Sequence, residues 1–444
     1  MRITILAQYF PPETTATGRR AEDLAEVLAE RGHEVTVITG RPNHPSTVGR
    51  LLCRDVPDRE RAPKGYQVVR VPVFRSSDGR ALKRLLNYAT FMLAAAWAGM
   101  KLPRPDAIIA VSPLPTGFAA LLIHWRHHSP LVFDLQDIWP DSARAVGVMD
   151  EGLTIRILRS LERLLYRCSA RVVVISEGFR RYLVELGVPA ERVVVIHNGV
   201  DTRRFGPMRA ETRIRKARPL RGRFVVGYIG NLGLAQGLDT VLEAARSLSG
   251  EPAAFLLIGE GVDKPRLQAA ARAARLSNVR FLHGVPRRRA PSLLAACDAL
   301  LVILRDDPLF QITIPSKLYE YMAAGKPILC SVGGEAAALV ADAGCGITLR
   351  PADPTALAQG VLRLMADPRE ARAFGEAGAR WVREHFDRCG LMDAYAGLVE
   401  SLDHRVPARA VRRRAFSPEI AAFARAGLSA PPHRRPQNES SESA

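Results

Sequence analysis

Residues 314–327 combine the start of a helix with a cation and a carboxylate. We interpret Ser316 as the N-cap residue, with a proline before it and a glycine ending the helix. Lys317 and Glu320 are three residues apart and share the face of the first turn. The helix dipole, free backbone N–H groups and an ammonium group suit an anion such as phosphate. The alternative is a capped helix with an internal Lys–Glu ion pair.

A second group of polar residues, from Asp134 to Asp141, follows a strand predicted over residues 131–133. Asp137 is the candidate to orient a substrate hydroxyl or to act as a base. Trp139 is the candidate contact to an acceptor. The alternative is a network of helix caps and turns. Because no histidine or cysteine cluster lies nearby, the segment does not predict a metal site.

Glycines recur at the ends of successive predicted strands in the second half of the chain. Glycines let a ligand approach the backbone closely, and their N–H groups can then bind a diphosphate. The spacing matches neither the dinucleotide fingerprint nor the P-loop. The sequence therefore predicts a nucleotide-diphosphate site lined largely by backbone. Its candidate residues, in addition to the helix start, are Gly230, Asn231, Gly233, Gly259 and Val285.

Two residues of the first half are open to either interpretation. Gly18 precedes a predicted helix and is either a ligand contact or part of a plain turn. Glu177 follows the strand predicted over residues 172–175, and it either faces a cleft or fills the first turn of a helix.

The elements that must position these residues alternate between short β-branched runs and helix-period stretches, which is typical of parallel α/β domains. We predict two Rossmann-like, doubly wound domains that face each other across a cleft. Residues 1–200 form the first, with crossing helices at about 385–402, and residues 201–384 form the second. A basic tail, 403–444, is predicted to be disordered. The predicted strands cover residues 3–6, 35–38, 68–71, 107–111, 131–133, 172–175, 193–196, 224–229, 255–258, 279–282, 299–304, 328–331 and 347–349.

Charge and composition limit the function classes. At 444 residues the chain is long enough for two domains, and its net charge of +18 favours an anionic partner. The six cysteines are scattered, as expected of a reducing compartment, and no leader peptide is expected. The apolar run from Leu85 to Met100 is interpreted as a helix packed on a sheet or lying on a membrane surface, not as a span.

With these residues in view, the chain resembles the retaining family-four glycosyltransferases of the GT-B fold. Within them it is similar to the amino-deoxysugar (fucosamine-type) transferases of bacterial surface-polysaccharide synthesis. The likeness runs from residue 1 to about residue 402. The motifs that carry it are residues 9–13, 137–141, 198–201, 230–237, 259–261 and 315–327.

The resemblance implies a nucleotide-sugar donor bound mainly by the second domain, with neither an essential metal nor a cofactor. It places Glu320 on the donor ribose and Gly18 beside the diphosphate. Together with the basic charge and the apolar run, it favours a lipid-linked saccharide as acceptor. A cytoplasmic enzyme with peripheral contact to the anionic inner face of the cell membrane is expected.

The chain also departs from the family pattern at four positions. The first of the two family glutamates is replaced by Ile312, and the usual arginine and lysine of the glycine-rich loop by Asn231 and Gln236. The usual histidine after the strand is Gln136. We therefore expect Lys317, and next Arg305, to neutralise the donor phosphates. An apolar residue in place of the first glutamate suits a deoxy or acylamino sugar.

The predicted mechanism stabilises the leaving diphosphate with Gly230, Gly233, Ser316 and Lys317 while Asp137 orients the acceptor hydroxyl. Two other functions are weighed. A sugar-nucleotide epimerase or hydrolase of the same fold would need no acceptor. A nucleic-acid-binding protein would fit the charge, but no helix-turn-helix, zinc or aromatic-ladder pattern supports specific binding.

Overall fold

The computed structural model describes residues 1–402 except residues 14, 43–55, 75–80, 140, 142–143, 145–151, 207, 209 and 217–219. The tail predicted to be disordered, residues 403–444, lies outside the described residues.

The first half of the chain forms an eight-stranded sheet in the order β3-β4-β2-β1-β5-β6-β7-β8. All neighbouring strands are parallel except β3, which pairs antiparallel with β4 at the edge. The strands are β1 (Arg2–Ala7), β2 (Glu34–Gly40), β3 (Arg59–Arg61), β4 (Gln67–Val71), β5 (Ala107–Val111), β6 (Leu131–Leu135), β7 (Arg171–Val174) and β8 (Val193–Val195).

The second half forms a six-stranded, fully parallel sheet in the order β11-β10-β9-β12-β13-β14. The strand order reverses between β9 and β12, the kind of switch point at which open α/β sheets bind ligands. The strands are β9 (Phe224–Ile229), β10 (Ala253–Ile258), β11 (Val279–Leu282), β12 (Ala299–Ile303), β13 (Ile328–Ser331) and β14 (Gly346–Thr348).

Helices cover both faces of both sheets, as expected when parallel strands are buried on each side. In the first half they are α1 (Ala16–Glu30), α2 (Ala81–Lys101), α3 (Leu114–His127), α4 (Leu153–Cys168) and α5 (Glu177–Glu185). In the second half they are α6 (Thr212–Lys216), α7 (Asp239–Ser247), α8 (Lys264–Ala273), α9 (Ala290–Ala295), α10 (Pro308–Gln311), α11 (Ser316–Ala323), α12 (Gly334–Asp342), α13 (Pro354–Ala366), α14 (Pro368–His385) and α15 (Arg388–Glu400).

Helices α2, α3 and α4 lie side by side on one face of the first sheet. Alternate strand residues such as Ile108 and Phe133 point into their shared core. The helices approach closely at two glycines. A Cβ at Gly99 of α2 would lie 2.2 Å from Ile123 of α3, and one at Gly117 of α3 would lie 2.3 Å from Leu165 of α4.

The opposite face of the first sheet is covered by α1 and by the last helix, α15. The buried side chains of Met392 and Tyr395 belong to the same core as strand β1. The chain crosses between the halves twice, near Val200 and near Asp387, and the two crossings pair in a parallel bridge. Val200 N donates to Phe386 O at 3.0 Å, and Arg388 N donates to Val200 O at 3.0 Å.

The predicted strands agree with the structure to within about two residues at each end, but three details differ. Helix α1 begins at Ala16, so Gly18 lies inside the helix rather than before it, because the Thr15 hydroxyl caps the helix. Strand β3 was not predicted, because its Arg-Glu-Arg sequence has no apolar residue. The apolar run 85–100 is the body of α2, which packs on the sheet through Phe91.

Candidate functional site

Helix α11 begins at Ser316 and carries the predicted donor-binding residues Ser316, Lys317 and Glu320. The prediction that Ser316 is the N-cap is wrong. The cap position is Pro315, whose extended backbone ends the loop directly before the helix and which offers no capping side chain. Ser316 is therefore the first helical residue, and it lines a pocket between the two halves of the chain.

Lys317 does not pair with Glu320, contrary to the ion-pair alternative. Its Nζ donates a hydrogen bond to Tyr228 Oη and lies 3.9 Å from the centre of that ring. Tyr228 Oη in turn donates to Asn231 O at 2.7 Å. The side chain as a whole is half-buried, but its amine is enclosed by protein beneath the glycine-rich loop. Burial lowers the pKa of Lys317 to about 7, although the nearby Glu320 carboxylate acts in the opposite direction.

Glu320 accepts a hydrogen bond from Arg287 Nη2. The Arg287 guanidinium also lies 5.3 Å from the ring centre of Phe205. Burial lowers the pKa of Arg287, and the Glu320 carboxylate opposes this shift. Sequence reasoning missed Arg287. The run of three arginines at residues 287–289, after the predicted Val285 loop, was the available signal.

The pocket in front of Ser316 and Glu320 brings both halves of the chain together. The starts of α1 and α11 meet there, so the positive ends of two helix dipoles face one space. Each of the four arginines that line it already has a carboxylate partner: Arg19 contacts Glu22, Arg20 contacts Asp134, Arg388 contacts Asp23 and Arg287 contacts Glu320. The lining residues are Ala16, Arg19, Arg20, Asn198, Arg287, Ser316, Glu320, Arg388 and Met392.

Gly18 lies in the first turn of α1, next to this pocket. Its N–H donates to Thr15 Oγ1 at 3.1 Å. A Cβ at this position would lie 2.8 Å from Tyr9 O, so glycine allows the helix to approach the loop that follows β1. The structure therefore gives Gly18 a packing role and occupies its amide.

The prediction that the glycine-rich loops expose their N–H groups is wrong. Gly230 N donates to Ile258 O at 2.9 Å, and Gly233 N donates to the Gln236 side chain at 3.0 Å. Gly259 N donates to Leu282 O at 3.3 Å. The loops stack on one another, and a Cβ at Gly259 would lie 1.8 Å from Gly230 O.

The other predicted members of this group differ in exposure. Asn231 is exposed at the loop surface, where its carbonyl accepts from Tyr228. Val285 is half-buried against the core of the second sheet. Arg305 is exposed beside Gly237, and a Cβ on that glycine would lie 3.2 Å from Arg305 Cγ.

The three aspartates of the segment after β6 have different surroundings. Asp134 is buried and forms an ion pair with Arg20 at 2.8 Å, and Gln136 also donates to it. Asp141 accepts from Arg159 at 2.6 Å, whereas Asp137 is exposed. Trp139 is half-buried against the core of the first sheet, and neither Asp137 nor Trp139 lines the pocket at Ser316.

Ile312, which stands where a family glutamate was expected, lies in a contact between the two halves. Its carbonyl accepts from Ser176 Oγ at 2.6 Å, and a Cβ at Gly178 would lie 2.5 Å from Ile312 Cβ. Arg181 and Glu335 form a 2.9 Å ion pair across the same contact. Glu177 is the first residue of α5 and lies in its first turn, and it does not line the pocket at Ser316.

Over the described part of the chain, no group of three or more His, Cys, Asp or Glu residues could hold a metal ion. In that same part, no helix has both the length and the apolar character needed to cross a membrane.

Comparison with known proteins agrees with this architecture. A family model described as "Glycosyl transferase 4-like domain" matches residues 15–199, and one described as "Glycosyl transferases group 1" matches residues 210–381. The "Putative colanic acid biosynthesis glycosyl transferase WcaI" of Escherichia coli (strain K12) is 30% identical over 338 residues. The match covers 73% of this chain and 82% of that protein.

Solved structures share the fold at lower identity. Sucrose-phosphate synthase from Thermosynechococcus elongatus aligns with a TM-score of 0.76 at 19% identity, over 91% of this chain and 100% of that one. Anabaena Alr3699/HepE, solved in complex with UDP-glucose, aligns with a TM-score of 0.70 at 18% identity, over 90% of this chain and all of that one. The two matched domains, the two parallel sheets and the pocket between them lead to one conclusion: the chain belongs to the group 1, family-four glycosyltransferases and has the GT-B fold.

Proposed function

We propose that this glycosyltransferase moves a sugar, with retention at the anomeric carbon, from a nucleotide-sugar donor to a hydroxyl of a lipid-linked saccharide. The observation that carries the donor half of the proposal is the pocket between the starts of α1 and α11. It combines two helix N-termini with arginines from three elements and with the Glu320 carboxylate. A diphosphate flanked by a ribose has the complementary chemistry.

In this proposal residues 201–384 bind the donor, and residues 1–200 together with the helices at about 385–402 bind the acceptor. Glu320 accepts hydrogen bonds from the ribose hydroxyls, and Arg287 holds the carboxylate in place. The diphosphate lies near the helix start at Ser316 and is neutralised by Lys317 and Arg19. Lys317 approaches from below Gly230. Gly233, Gly259 and the other glycines shape the loop rather than donate from their amides.

The proposed reaction occurs on one face of the sugar. The bond from the anomeric carbon to the diphosphate oxygen breaks as the acceptor oxygen attacks from the same side. The acceptor proton passes to the departing phosphate. Asp137 orients the acceptor hydroxyl beside Trp139, and the helix start together with Lys317 stabilises the charge that grows on the diphosphate.

The sugar is proposed to be an amino-deoxy hexose. Ile312 supplies a sec-butyl side chain, and its carbonyl already accepts from Ser176, so this position has no carboxylate that could bind sugar hydroxyls. An apolar surface suits a methyl or acylamino group better than a hydroxyl, because an unpaired hydroxyl would lose its hydrogen bonds to water.

The acceptor half of the proposal rests on an exposed apolar face. Side chains on α2, α3 and α4 form it, and Lys101 lies 4.4 Å from the ring centre of Trp97 at its edge. Tryptophan next to a cation is typical of residues at a membrane–water interface. A protein that holds this face against an anionic membrane surface would meet a lipid-linked acceptor there. The face comprises Leu85, Leu86, Leu93, Trp97, Leu122, Trp125, Ile157, Leu161 and Leu164.

The test of the proposed function starts with nucleotides. Calorimetric titration with UDP, GDP, ADP and dTDP should give binding to one of them, and the matching nucleotide sugars should then give a glycosylated lipid extract. Product must require both donor and acceptor. Turnover of the donor without an acceptor would instead show the epimerase or hydrolase activity, and no binding of any nucleotide would contradict the donor site.

A further inference from the structure

A second cavity lies between the halves and shares no lining residue with the pocket at Ser316. It is a groove of about 650 Å³, bounded by α4 and α5 of the first half and by residues 307–312 of the second. This volume is within the range of ligand pockets in proteins. Its walls are formed by Asp141, Arg144, Arg159, Glu162, Arg163, Gly178, Arg181, Tyr182, Glu185, Leu186, Asp307, Pro308, Leu309 and Ile312.

The charges of this groove balance. Among the described residues that line it, four arginines face four acidic residues, so this part of the groove does not attract a diphosphate as the pocket at Ser316 does. Asp141 accepts from Arg159 at 2.6 Å and from Tyr182 Oη at 2.8 Å. Glu162 is buried and accepts from the Tyr166 hydroxyl. An uncharged ligand is therefore favoured over an anion.

The groove offers both hydrogen-bond donors and hydrogen-bond acceptors. Guanidinium groups donate, carboxylates accept, and the Tyr182 hydroxyl can do both. Leu186, Pro308 and Leu309 add apolar surface between them. A saccharide matches this mixture, since each hydroxyl both donates and accepts while the carbon-bound hydrogens of the ring present an apolar face.

The groove is joined to the donor pocket by one short segment of chain. Ile312 lines the groove, and Ser316, four residues later, lines the donor pocket. The groove also includes Asp141, which closes the segment that carries Asp137 and Trp139. A ligand in the groove would therefore lie beside both the segment that leads to Ser316 and the segment that carries Asp137.

We propose that this groove binds the saccharide portion of the acceptor as an uncharged, polyhydroxylated ligand, with Arg163, Arg181 and Glu185 reading its hydroxyls at the rim. The inference rests on the proposed function, because it assigns an acceptor to the same cleft. It places acceptor selectivity in α4 and α5.

The experiment measures binding of octyl glycosides by saturation-transfer difference NMR, at concentrations below micelle formation. The panel contains octyl glucoside, galactoside, mannoside, N-acetylglucosaminide, N-acetylgalactosaminide, fucoside and rhamnoside. We expect at least one to bind the wild-type protein through its ring protons. Arg163→Ala and Glu185→Ala, both at exposed positions, should each weaken that binding about tenfold, as loss of a charged hydrogen bond does.

Arg167→Ala is the matched control, because Arg167 is exposed on the same helix but lies outside the groove. It should leave glycoside binding unchanged. Pro308→Trp, which adds a large side chain at an exposed position on the opposite wall, should block the glycoside without touching the start of α11.

The same samples are titrated with UDP, GDP, ADP and dTDP to separate the two proposals. Unchanged nucleotide affinity with weakened glycoside binding supports the groove. Glycoside binding that is absent in the wild type, equal in all variants, or competitive with the nucleotide overturns it. Loss of nucleotide binding in the wild type would instead contradict the proposed function, whatever the glycoside result.

Discussion

Lys317 holds an amine between an aromatic ring and a glycine loop, where it loses most of its hydration. Its pKa of about 7 means that the ligand-free protein is close to half protonated at this position at neutral pH. A bound diphosphate would stabilise the ammonium form and raise the pKa again. Donor binding should therefore take up a proton.

We predict that nucleoside diphosphate affinity is highest below pH 7 and falls as the pH rises above 7, by up to about tenfold per unit. Calorimetry between pH 6 and 9, in buffers of different ionisation enthalpy, measures both the affinity and the proton uptake. Lys317→Met should remove the pH dependence, while Lys326→Met, at a half-buried lysine outside the pocket, should keep it. A wild-type affinity that stays constant across this range would contradict the role of Lys317.

The Lys317 amine should also make the free energy of unfolding depend on pH. The unfolded chain keeps an ordinary lysine pKa of 10.5, so between about pH 7 and 10.5 it binds a proton that the folded protein releases. The free energy of unfolding contributed by this residue therefore rises with pH in that window. Urea titrations at pH 7 and pH 9.5 should show the rise in wild type and a smaller one in Lys317→Met. An equal rise in both proteins would exclude Lys317 as its source.

Glu320 should recognise ribose through its hydroxyls. We predict that Glu320→Gln weakens nucleoside diphosphate binding about tenfold, because a hydrogen bond to a charged acceptor is replaced by one to a neutral amide. Glu376→Gln, at an exposed position on α14, is the control. If Glu320→Gln binds as tightly as wild type, the ribose lies elsewhere.

Gly259 should be required for packing rather than for ligand contact. A methyl group there would meet Gly230 O at 1.8 Å, so Gly259→Ala must shift one loop against the other. We expect a loss of about 2 kcal/mol or more in the free energy of unfolding. Gly397→Ala in α15 meets no neighbour within 4 Å and should stabilise by up to about 1 kcal/mol. Thermal denaturation of both variants distinguishes the two outcomes.

Helices α2, α3 and α4 present an apolar face that the sheet does not need for its own core. Leu93 and Trp97, one helical turn apart on α2, are 62% and 61% exposed. We predict that the protein floats with vesicles that contain phosphatidylglycerol and that the double variant Leu93→Ser, Trp97→Ser loses at least about tenfold in binding.

The control for this face is Leu362→Ser, which replaces an exposed leucine on α13. Vesicles of phosphatidylcholine alone separate the charge contribution from the apolar one. Equal flotation of the wild type and the double variant would show that the apolar face of α2, α3 and α4 does not bind the membrane.

The elements could be predicted from the sequence because their signals are local. Short runs rich in β-branched and aromatic residues, at Phe224–Ile229 and Val279–Leu282, predicted both boundaries of strands β9 and β11 correctly. The site was predicted less completely. The occupied amides of Gly230 and Gly259 depend on neighbouring loops, and Arg287 reaches Glu320 across 33 residues of sequence. Contacts between residues so far apart in the chain produce no periodic pattern in the amino-acid sequence.

The charge of the whole molecule has two separate parts. The segment after Leu402 contains eight arginines and four acidic residues, so it supplies only four of the eighteen net positive charges. We predict that a chain ending at Leu402 keeps its nucleotide affinity and its binding to anionic vesicles, because both surfaces lie in the preceding residues. Isothermal titration and flotation of the shortened chain test this. A large loss in either would assign a role to the tail.

The paired crossings at Val200 and Asp387 also determine how the two halves can move. Two halves joined at one point could rotate about any axis. Two adjacent, hydrogen-bonded connections leave essentially one rotational degree of freedom, about an axis that runs through the bridge. Rotation about that axis has to separate Ser176 from Ile312 and Arg181 from Glu335, so we expect these two contacts to set the free-energy cost of opening the cleft.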